Sequence, residues 1–311
     1  MNLCLLFPGQ GSQYVGMGSG LFNTELGILL LKEAEDTLSL RLSSIMQSGS
    51  QEELTRTAIA QPAILLHSVS AFLHFKSRYN LNIDCAVGHS LGEYSALVAA
   101  GVVNFSDAIR AVHVRGTLMQ EAVPQGQGAM AAILGLEVDK ICSIVQEHSE
   151  KTDDEYAACA NFNGPLQTVI AGTKEGVQKV CEKLKAAGAK RVVELMVSAP
   201  FHCALMKPVQ QRMTAVLDGI KFSDAQFPVV SNVSAQPEKA KERIKSLLIE
   251  QIISPVRFSE CIATASQLNA HNKTFIEFGP KNTLSGIVKK IDKESLIYNI
   301  DSFNDLETLK F

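Results

Sequence analysis

The chain has 311 residues, which is enough for one large domain or for a large domain and a small one. Hydrophobic residues make up 46% and charged residues 20%, as is typical of a soluble globular protein, and a formal net charge of −3 excludes a general attraction to nucleic acid. The longest charge-free apolar run is far shorter than a membrane span and the first residues lack a signal-peptide pattern, so we expect no membrane partner and a cytoplasmic location, or an organelle if a transit peptide has been removed.

The N-terminal part of the chain alternates between predicted strands and helices. A buried strand over 3–7 runs into a Pro-Gly loop, helical patterns occupy roughly 21–47 and 62–78, and the apolar run "CAVG" forms the next strand. Pro62 stands at a favourable first-turn position of the second helix. This alternation predicts a parallel α/β sheet that carries its chemistry in the loops at the carboxyl ends of the strands.

The pattern changes between residues 126 and 198. Strands and helices there follow the order βαββαβ, from "GAMAAILGL" to "RVVELMV", which predicts a small ferredoxin-like domain. The segments "PQGQG" and "SAPFH" would join it to a larger, α/β-hydrolase-like domain with a parallel sheet core, made of 1–125 and 199–311. The larger domain then continues with a helix near 203–219, a strand over 228–232, a charged helix near 237–252 and a last strand, "TFIEFG".

The stretch "GHSLG" puts Ser90 between two glycines, after a predicted strand and before a predicted helix. Serine is a favoured helix N-cap, and Glu93 three residues later would complete a capping box. The same residues match G-x-S-x-G, in which a sharp strand-to-helix turn exposes a nucleophilic serine and the helix start offers N–H groups to an oxyanion. The motif by itself leaves both interpretations open.

A nucleophilic serine needs a base, and His202 is our candidate because it follows a predicted domain junction, where a histidine can face a cleft. The alternative is a histidine that only caps or packs. His89 belongs to the turn and is expected to point away from Ser90. Asp153 and Asp154 fall in a polar loop that is poorly placed to orient a base, so we predict a Ser-His dyad without an acid.

The loop "FPGQGSQ" fails both phosphate-binding patterns, because Tyr14 stands where G-x-G-x-x-G needs glycine and no lysine follows as in a P-loop. A glycine-rich loop after the first strand can instead bring the backbone N–H of Gln10 close to a reacting carbonyl. With the N–H of Leu91 it would form an oxyanion hole with two donors.

Arg115 lies in the amphipathic segment "SDAIRAVHVRGTLMQEA", on the flank of the buried face, whereas Arg110 projects to the solvent side. An unpaired guanidinium at this position would be costly, so Arg115 needs an anion. Two anions remain possible. One is a structural carboxylate of the protein, and the other is a substrate carboxylate bound in a bidentate fork.

Seven cysteines and seven histidines show no metal-ligand spacing and no C-x-x-C pair, so we predict reduced thiols and no metal site. Cys203 adjoins His202, but neighbouring residues normally point apart. A Cys-His nucleophile is therefore not favoured.

These motifs together resemble those of the malonyl-CoA:acyl-carrier-protein transacylase family, from one end of the chain to the other. The segments that match in order and approximate spacing are "LFPGQGSQYVGMG", "IAQPAILL", "GHSLGEYSALVAAG", the arginine of "VRG", "NFNGPLQTVIAG", "SAPFHCALM", "EQIISPVRF" and "EFGPKNTLSG". Several independent motifs are far more specific than one G-x-S-x-G. The resemblance implies an acyltransferase of bacterial-type fatty-acid synthesis.

The resemblance also implies the catalytic roles. Ser90 would be the acylated nucleophile, with His202 as general base and then general acid in each half-reaction. The N–H groups of Gln10 and Leu91 would form the oxyanion hole. Gln251, in "EQIISP", matches the position whose backbone carbonyl orients the histidine, which removes the need for an acid.

Substrate contacts follow from the same resemblance. Arg115 would hold the free carboxylate of the malonyl group, and Gln61 and Asn163 would line the site. Leu91 and Phe201 would favour the unbranched malonyl group, because relatives that accept methylmalonyl often have glutamine at the first position and a small residue at the second.

The implied substrates are malonyl-CoA and the phosphopantetheine thiol of a transiently bound, acidic acyl carrier protein, and no metal or redox cofactor is implied. We expect a monomer that docks its carrier through a local basic patch, for which the candidates are Lys190, Arg191, Lys281, Lys289 and Lys290. Three alternatives remain: a discrete acyltransferase of a polyketide synthase, which shares every catalytic motif, a serine thioesterase or esterase, and a non-catalytic carrier-binding scaffold.

Overall fold

The computed structural model describes residues 2–79, 82–124, 126–149, 155–197, 199–269 and 273–309. Asp153 and Asp154, which the sequence analysis set aside as poorly placed acids, lie outside the described residues. One residue of each predicted domain junction, Gln125 and Ser198, also lies outside them.

Strands and helices alternate through the described chain. The strands are β1 (Asn2–Phe7), β2 (Asn82–Gly88), β3 (Gly128–Leu134), β4 (Ala157–Gly164), β5 (Gln167–Thr173), β6 (Arg191–Glu194), β7 (Val229–Val230), β8 (Pro237–Glu238), β9 (Thr274–Phe278) and β10 (Leu296–Ile300). The helices are α1 (Glu25–Leu38), α2 (Leu42–Ser48), α3 (Gln51–Thr55), α4 (Thr57–Arg78), α5 (Gly92–Ala99), α6 (Phe105–Glu121), α7 (Val138–Ser149), α8 (Lys174–Ala186), α9 (Lys207–Asp218), α10 (Lys241–Gln251), α11 (Phe258–Leu268), α12 (Thr283–Ile291) and α13 (Phe303–Thr308).

The larger sheet has the order β10-β9-β1-β2-β7-β8 and is parallel from β10 to β7, as predicted for the core of this protein. Strand β1 is buried on both faces, which explains its unbroken apolar sequence. Phe7 pairs with Gly88, so β1 and β2 end together, and the N–H of His89 donates to the carbonyl of Phe7 at 2.9 Å. The loops after these strands therefore lie side by side at the carboxyl edge.

The second sheet is antiparallel, has the order β4-β5-β3-β6 and is separate from the first. Its helices α7 and α8 contribute to one apolar cluster with its strands. Strand β4 is tied to the segment before α11, since the N–H of Phe162 donates to the carbonyl of Val256 at 2.8 Å and the N–H of Val256 donates to Ala160 at 2.8 Å. These bonds fix the end of β4 beside the carboxyl edge of the larger sheet.

The helix predicted over 21–47 is divided, because the chain leaves helical geometry after α1. Ser39 has a φ of 51°, in the left-handed region that ends helices. The carboxylate of Glu35 then accepts from the N–H of Ser43 at 2.8 Å, which supplies a partner for the start of α2.

The prediction that Pro62 opens a helix was wrong, since α4 begins at Thr57 and holds Pro62 inside it. An interior proline leaves the carbonyl four residues earlier without its N–H partner. The ring of His113, on α6, donates to that carbonyl of Ala58 at 2.9 Å and replaces the missing bond. By length and mean hydropathy α4 could cross a membrane, but 89% of its apolar window is buried in the protein, so it is a core helix.

The expectation that "TFIEFG" is the last strand was also wrong. Strand β10 follows it and pairs in parallel with β9, from Leu296 against Thr274 to Ile300 against Phe278. As an edge strand, β10 is only partly buried, so its sequence "LIYNI" lacks the continuous apolar character that identified β1.

Candidate active site

A cleft of about 540 Å³ opens at the carboxyl edge of the larger sheet, against the second sheet. Eight of the nine predicted site residues line it, namely Gln10, Gln61, Ser90, Leu91, Arg115, Asn163, Phe201 and His202. The ninth, Gln251, lies behind the cleft wall and is 1% exposed. Segments far apart in the chain thus meet in one cavity of the size typical for small-ligand sites.

Ser90 occupies a strained turn between β2 and α5, with a φ of 54°. Both flanking glycines are required by packing, because a Cβ on Gly88 would lie 2.0 Å from the carbonyl carbon of Gly92, and one on Gly92 would lie 2.1 Å from the oxygen of Phe7. Of the two interpretations that the motif left open, the capping box was wrong. Leu91 is the N-cap of α5, and the carboxylate of Glu93 turns into the interior.

The hydroxyl of Ser90 lies 2.7 Å from Nε2 of His202, and Nδ1 of the same ring lies 2.9 Å from the backbone carbonyl of Gln251. A carbonyl can only accept, so Nδ1 carries the proton and Nε2 is left to accept from Ser90. Gln251 ends α10, where carbonyls have no partner within the helix and are free for this contact.

His202 is protonated only in strong acid. Its side chain is buried, which lowers the pKa to about 3, and the charge of Arg115 acts in the same direction. Among the described residues, no acidic side chain contacts His202. The neutral ring is therefore ready to accept a proton, with a backbone carbonyl in the place that an acid takes in a triad.

Arg115, on α6, is 1% exposed and points its guanidinium at the serine. Its Nη2 donates to the hydroxyl of Ser90 at 3.1 Å and to Oε1 of Gln251 at 2.9 Å, while Nη1 donates to Oε1 of Gln61 at 2.9 Å. Within the described part of the chain, no carboxylate lies within 4 Å of it, and its Nε has no partner. The cation is thus held by neutral oxygens, and its position beside Ser90 suits an anionic ligand.

Gln10 and Leu91, whose backbone N–H groups were the predicted oxyanion donors, both line the same cleft. Neither the N–H of Gln10 nor that of Leu91 donates to an acceptor within the described residues. The loop that carries Gln10 packs tightly on the turn, since a Cβ on Gly9 would lie 2.5 Å from the carbonyl oxygen of His89. The arrangement leaves two free donors near Ser90, as an oxyanion hole requires.

Asn163 and Phe201 both line the cleft. Oδ1 of Asn163 contacts Nε2 of His89 at 2.8 Å, and the ring of His89 packs against Phe258 with centroids 5.1 Å apart. Phe201 is 8% exposed and contributes apolar surface beside His202. Asn163 therefore acts on the turn through His89 as well as lining the cavity.

Asn232 is a site residue that the sequence analysis missed. Its Oδ1 accepts from the N–H of Ser90 at 2.7 Å and its Nδ2 donates to the carbonyl of Gly88 at 2.7 Å, so the amide holds both sides of the turn. The available signal was the polar run "SNVS" directly after β7, the strand next to β2. Polar residues at the ends of neighbouring parallel strands meet at one edge.

Among the described residues, no group of three or more histidine, cysteine, aspartate or glutamate side chains could hold a metal ion. All seven cysteines are free thiols, and Cys203 donates to the carbonyl of Pro200 at 3.1 Å rather than facing the cleft.

Comparisons with known proteins point to one family. Residues 4–302 match the acyl transferase domain family. Malonyl CoA-acyl carrier protein transacylase of Bacillus subtilis (strain 168) is 47% identical over 294 residues, covering 94% of this chain and 91% of the relative. The enzyme of the same name from Staphylococcus aureus (strain COL) is 42% identical over 304 residues, covering 97% of this chain and 96% of the relative.

Solved structures agree with these sequence relatives. A malonyl-transacylase in complex with its holo type II PKS acyl-carrier protein has a TM-score of 0.94 at 40% identity, covering 99% of this chain and 98% of that one. An acyl carrier protein S-malonyltransferase from Vibrio cholerae O1 biovar eltor str. N16961 has a TM-score of 0.93 at 39% identity, covering 99% of both chains.

Proposed function

Because the chain belongs to the acyl transferase family, we propose that it is a malonyl-CoA:acyl-carrier-protein S-malonyltransferase that works through a malonyl ester of Ser90. The observation that carries this proposal is the guanidinium of Arg115, which is buried without a carboxylate partner among the described residues and lies 3.1 Å from the serine hydroxyl. A malonyl group bears the carboxylate that such a cation needs, in a position to be held while its thioester meets Ser90.

In the first half-reaction, Oγ of Ser90 attacks the thioester carbonyl carbon while its proton passes to Nε2 of His202. The N–H groups of Gln10 and Leu91 hold the oxyanion of the tetrahedral intermediate. The C–S bond then breaks, and the sulfur of CoA leaves with the proton from His202. The malonyl group remains on Ser90 as an ester, with its free carboxylate on Arg115.

The second half-reaction reverses these steps with a different thiol. The phosphopantetheine thiol of the carrier gives its proton to Nε2 of His202 and attacks the ester carbonyl. The C–O bond to Ser90 breaks, and the serine oxygen takes the proton back from His202. One histidine serves both halves because each half begins and ends with a neutral ring, and no metal or redox cofactor is needed for either.

We further propose that 126–198 form a ferredoxin-like domain inserted into an α/β-hydrolase-like domain of 1–125 and 199–311. The order β4-β5-β3-β6, with α7 and α8 in one apolar cluster, supports the first assignment. A serine turn between a parallel strand and a helix supports the second. The complete set of site residues within one chain supports a monomer, and the free thiols are those expected in a reducing compartment such as the cytoplasm.

The product would supply chain elongation in fatty-acid synthesis. A discrete acyltransferase of a polyketide synthase is the second candidate, because the partner in one similar solved structure is a type II PKS acyl-carrier protein. The two candidates differ in the carrier that accepts the malonyl group, not in the chemistry at Ser90.

Intact-mass analysis with malonyl-CoA and a panel of holo carrier proteins tests the proposal. We expect a malonyl adduct on the free enzyme, its absence from Ser90→Ala, and transfer to fatty-acid carriers faster than to polyketide carriers. Hydrolysis of malonyl-CoA that outruns transfer would instead indicate an esterase, and a malonyl adduct on Ser90→Ala would exclude Ser90 as the acylated residue.

A further inference from the structure

Glu93 is a buried carboxylate for which the proposed chemistry has no use. It is 2% exposed, at the second position of α5, and burial raises its pKa to about 7. Isolated buried carboxylates are strongly disfavoured unless hydrogen bonds or opposite charges offset the loss of water. The hydrogen-bond partners of Glu93 therefore indicate its role in the site.

Oε2 of Glu93 accepts two hydrogen bonds, one from Nε2 of Gln251 at 2.9 Å and one from the backbone N–H of Asn232 at 3.1 Å. Gln251 in turn contacts three of the predicted site residues. Its carbonyl holds His202, its Oε1 accepts from Arg115, and its Nε2 also reaches the carbonyl of Ser90 at 3.1 Å.

The charge on Glu93 acts together with the carbonyl of Ser90 to fix which way the amide of Gln251 points, because both accept from its Nε2. An ionised carboxylate can only accept, so it selects the NH₂ group and leaves Oε1 facing the guanidinium of Arg115. If the amide turned over, its NH₂ would face the NH₂ groups of Arg115, and the cation would lose one of its two amide acceptors. Glu93 is also the acid whose charge acts on Arg115, across that amide.

We propose that Glu93 is a positioning residue for acyl selectivity, which orients Arg115 through Gln251 so that the guanidinium meets the carboxylate of the malonyl group. This inference rests on the proposed malonyl transfer. The contact of His202 with Gln251 stays outside this role, because it is made by the backbone carbonyl and does not depend on the direction of the amide.

The test compares Glu93→Gln with Glu277→Gln in single-turnover acylation by malonyl-CoA and by acetyl-CoA. Glu277 is a matched control, since it is equally buried, accepts from the N–H groups of Leu284 and Ser285, and does not line the cleft. Loss of one charge-assisted contact predicts that Glu93→Gln lowers the malonyl-to-acetyl ratio by about fivefold or more. Glu277→Gln should leave that ratio unchanged, although it lowers the melting temperature.

A second measurement on the unchanged protein does not depend on a variant folding. The groups that face Glu93 are Arg115 on α6, Tyr94 on α5 and Cys261 on α11, and none of them changes charge in weak acid. Protonation of Glu93 should therefore lower the malonyl-to-acetyl ratio as the pH falls from about 8 to about 5, and Glu93→Gln should abolish this dependence.

Equal loss of both activities in Glu93→Gln, or the same ratio and pH profile as the unchanged protein, would overturn the role of Glu93. These outcomes differ from failure of the proposed function. If the proposed function were wrong, the unchanged protein itself would form no malonyl adduct or would accept acetyl as readily as malonyl. This result would be seen without any variant.

Discussion

Arg115 determines, at the scale of one residue, which acyl group the site prefers. Its nearest oxygens belong to Gln61, Gln251 and Ser90, so its charge is not neutralised at the point where the acyl group enters. Charge-assisted hydrogen bonds contribute roughly 1.5–3 kcal/mol, which is about one to two decades in rate. Arg115→Ala should therefore slow malonyl transfer severely and raise acetyl transfer relative to malonyl.

Measuring both transfers together with the melting temperature checks this prediction. Parallel loss of malonyl and acetyl transfer with a lowered melting temperature would contradict it, because that is the result expected of a purely structural cation.

At the same scale of a single residue, His202 accepts and returns the proton of Ser90. His202→Ala should slow acylation of Ser90 by a factor of about 10² to 10⁴, the usual range for a general base. Because burial lowers the pKa of the ring to about 3, the base stays unprotonated in weak acid. The rate of acetylation from acetyl-CoA should thus stay constant as the pH falls from about 8 to about 5, whereas an exposed histidine would lose activity near pH 6.5.

Stopped-flow acetylation across this pH range measures the effect, and acetyl-CoA is used so that Arg115 does not contribute. A midpoint near the ordinary histidine pKa would show that His202 is solvated in the working enzyme.

At the scale of an element, the turn between β2 and α5 depends on close contacts between backbone atoms. Gly92→Ala would bring a Cβ to 2.1 Å from the oxygen of Phe7, so the start of α5 and the end of β1 would have to separate. We expect about 1–3 kcal/mol of lost stability and a large loss of acylation, as for other overpacked sites. Gly286→Ala is the control, because its Cβ would meet nothing within 4 Å and alanine is the better helix former in α12.

Denaturant unfolding of both variants measures the difference. Gly286→Ala should be unchanged or slightly more stable, with normal acylation. Full stability and activity in Gly92→Ala would mean that the turn can relax without cost.

At the scale of the whole molecule, the carrier protein is larger than the malonyl group that the cleft binds. The carrier must therefore dock on the surface around the cleft. Lys290 on α12 and Arg191 on β6 are exposed cations, and Lys281 lines the cleft itself. Lys290→Glu combined with Arg191→Glu should raise the KM for an acidic carrier by about five- to tenfold. Acylation by malonyl-CoA should change by less than about twofold, because the first half-reaction does not involve the carrier.

Lys32→Glu combined with Lys221→Glu is the matched control, since these exposed lysines carry the same change of charge and do not line the cleft. Steady-state transfer at several salt concentrations separates local docking from general charge. The same rise in KM for both pairs, or equal effects on both half-reactions, would argue against this docking surface.

The amino-acid sequence by itself determined the features that depend on neighbours in the chain. The apolar run at 3–7 and the glycines around Ser90 identified a buried strand and a sharp turn, because strand burial and close backbone approach restrict residue type locally. The placement of Arg115 on the flank of a buried helix face followed from helical periodicity. The order of strands and helices between 126 and 198 could be predicted because strands and helices differ in the periodicity of their apolar residues.

Only the tertiary structure decided which polar and charged groups pair with one another through hydrogen bonds and opposite charges. Glu93 fits a capping box by spacing, yet its carboxylate accepts from Asn232 and Gln251, which follow it by 139 and 158 residues. Pro62 fits a helix start, yet it lies inside α4 because His113 supplies the missing bond. The sequence left the anion of Arg115 open, since the absence of a carboxylate near a buried guanidinium depends on long-range packing. Hydrogen bonds and charges act through space, so their partners are known only once the chain has folded.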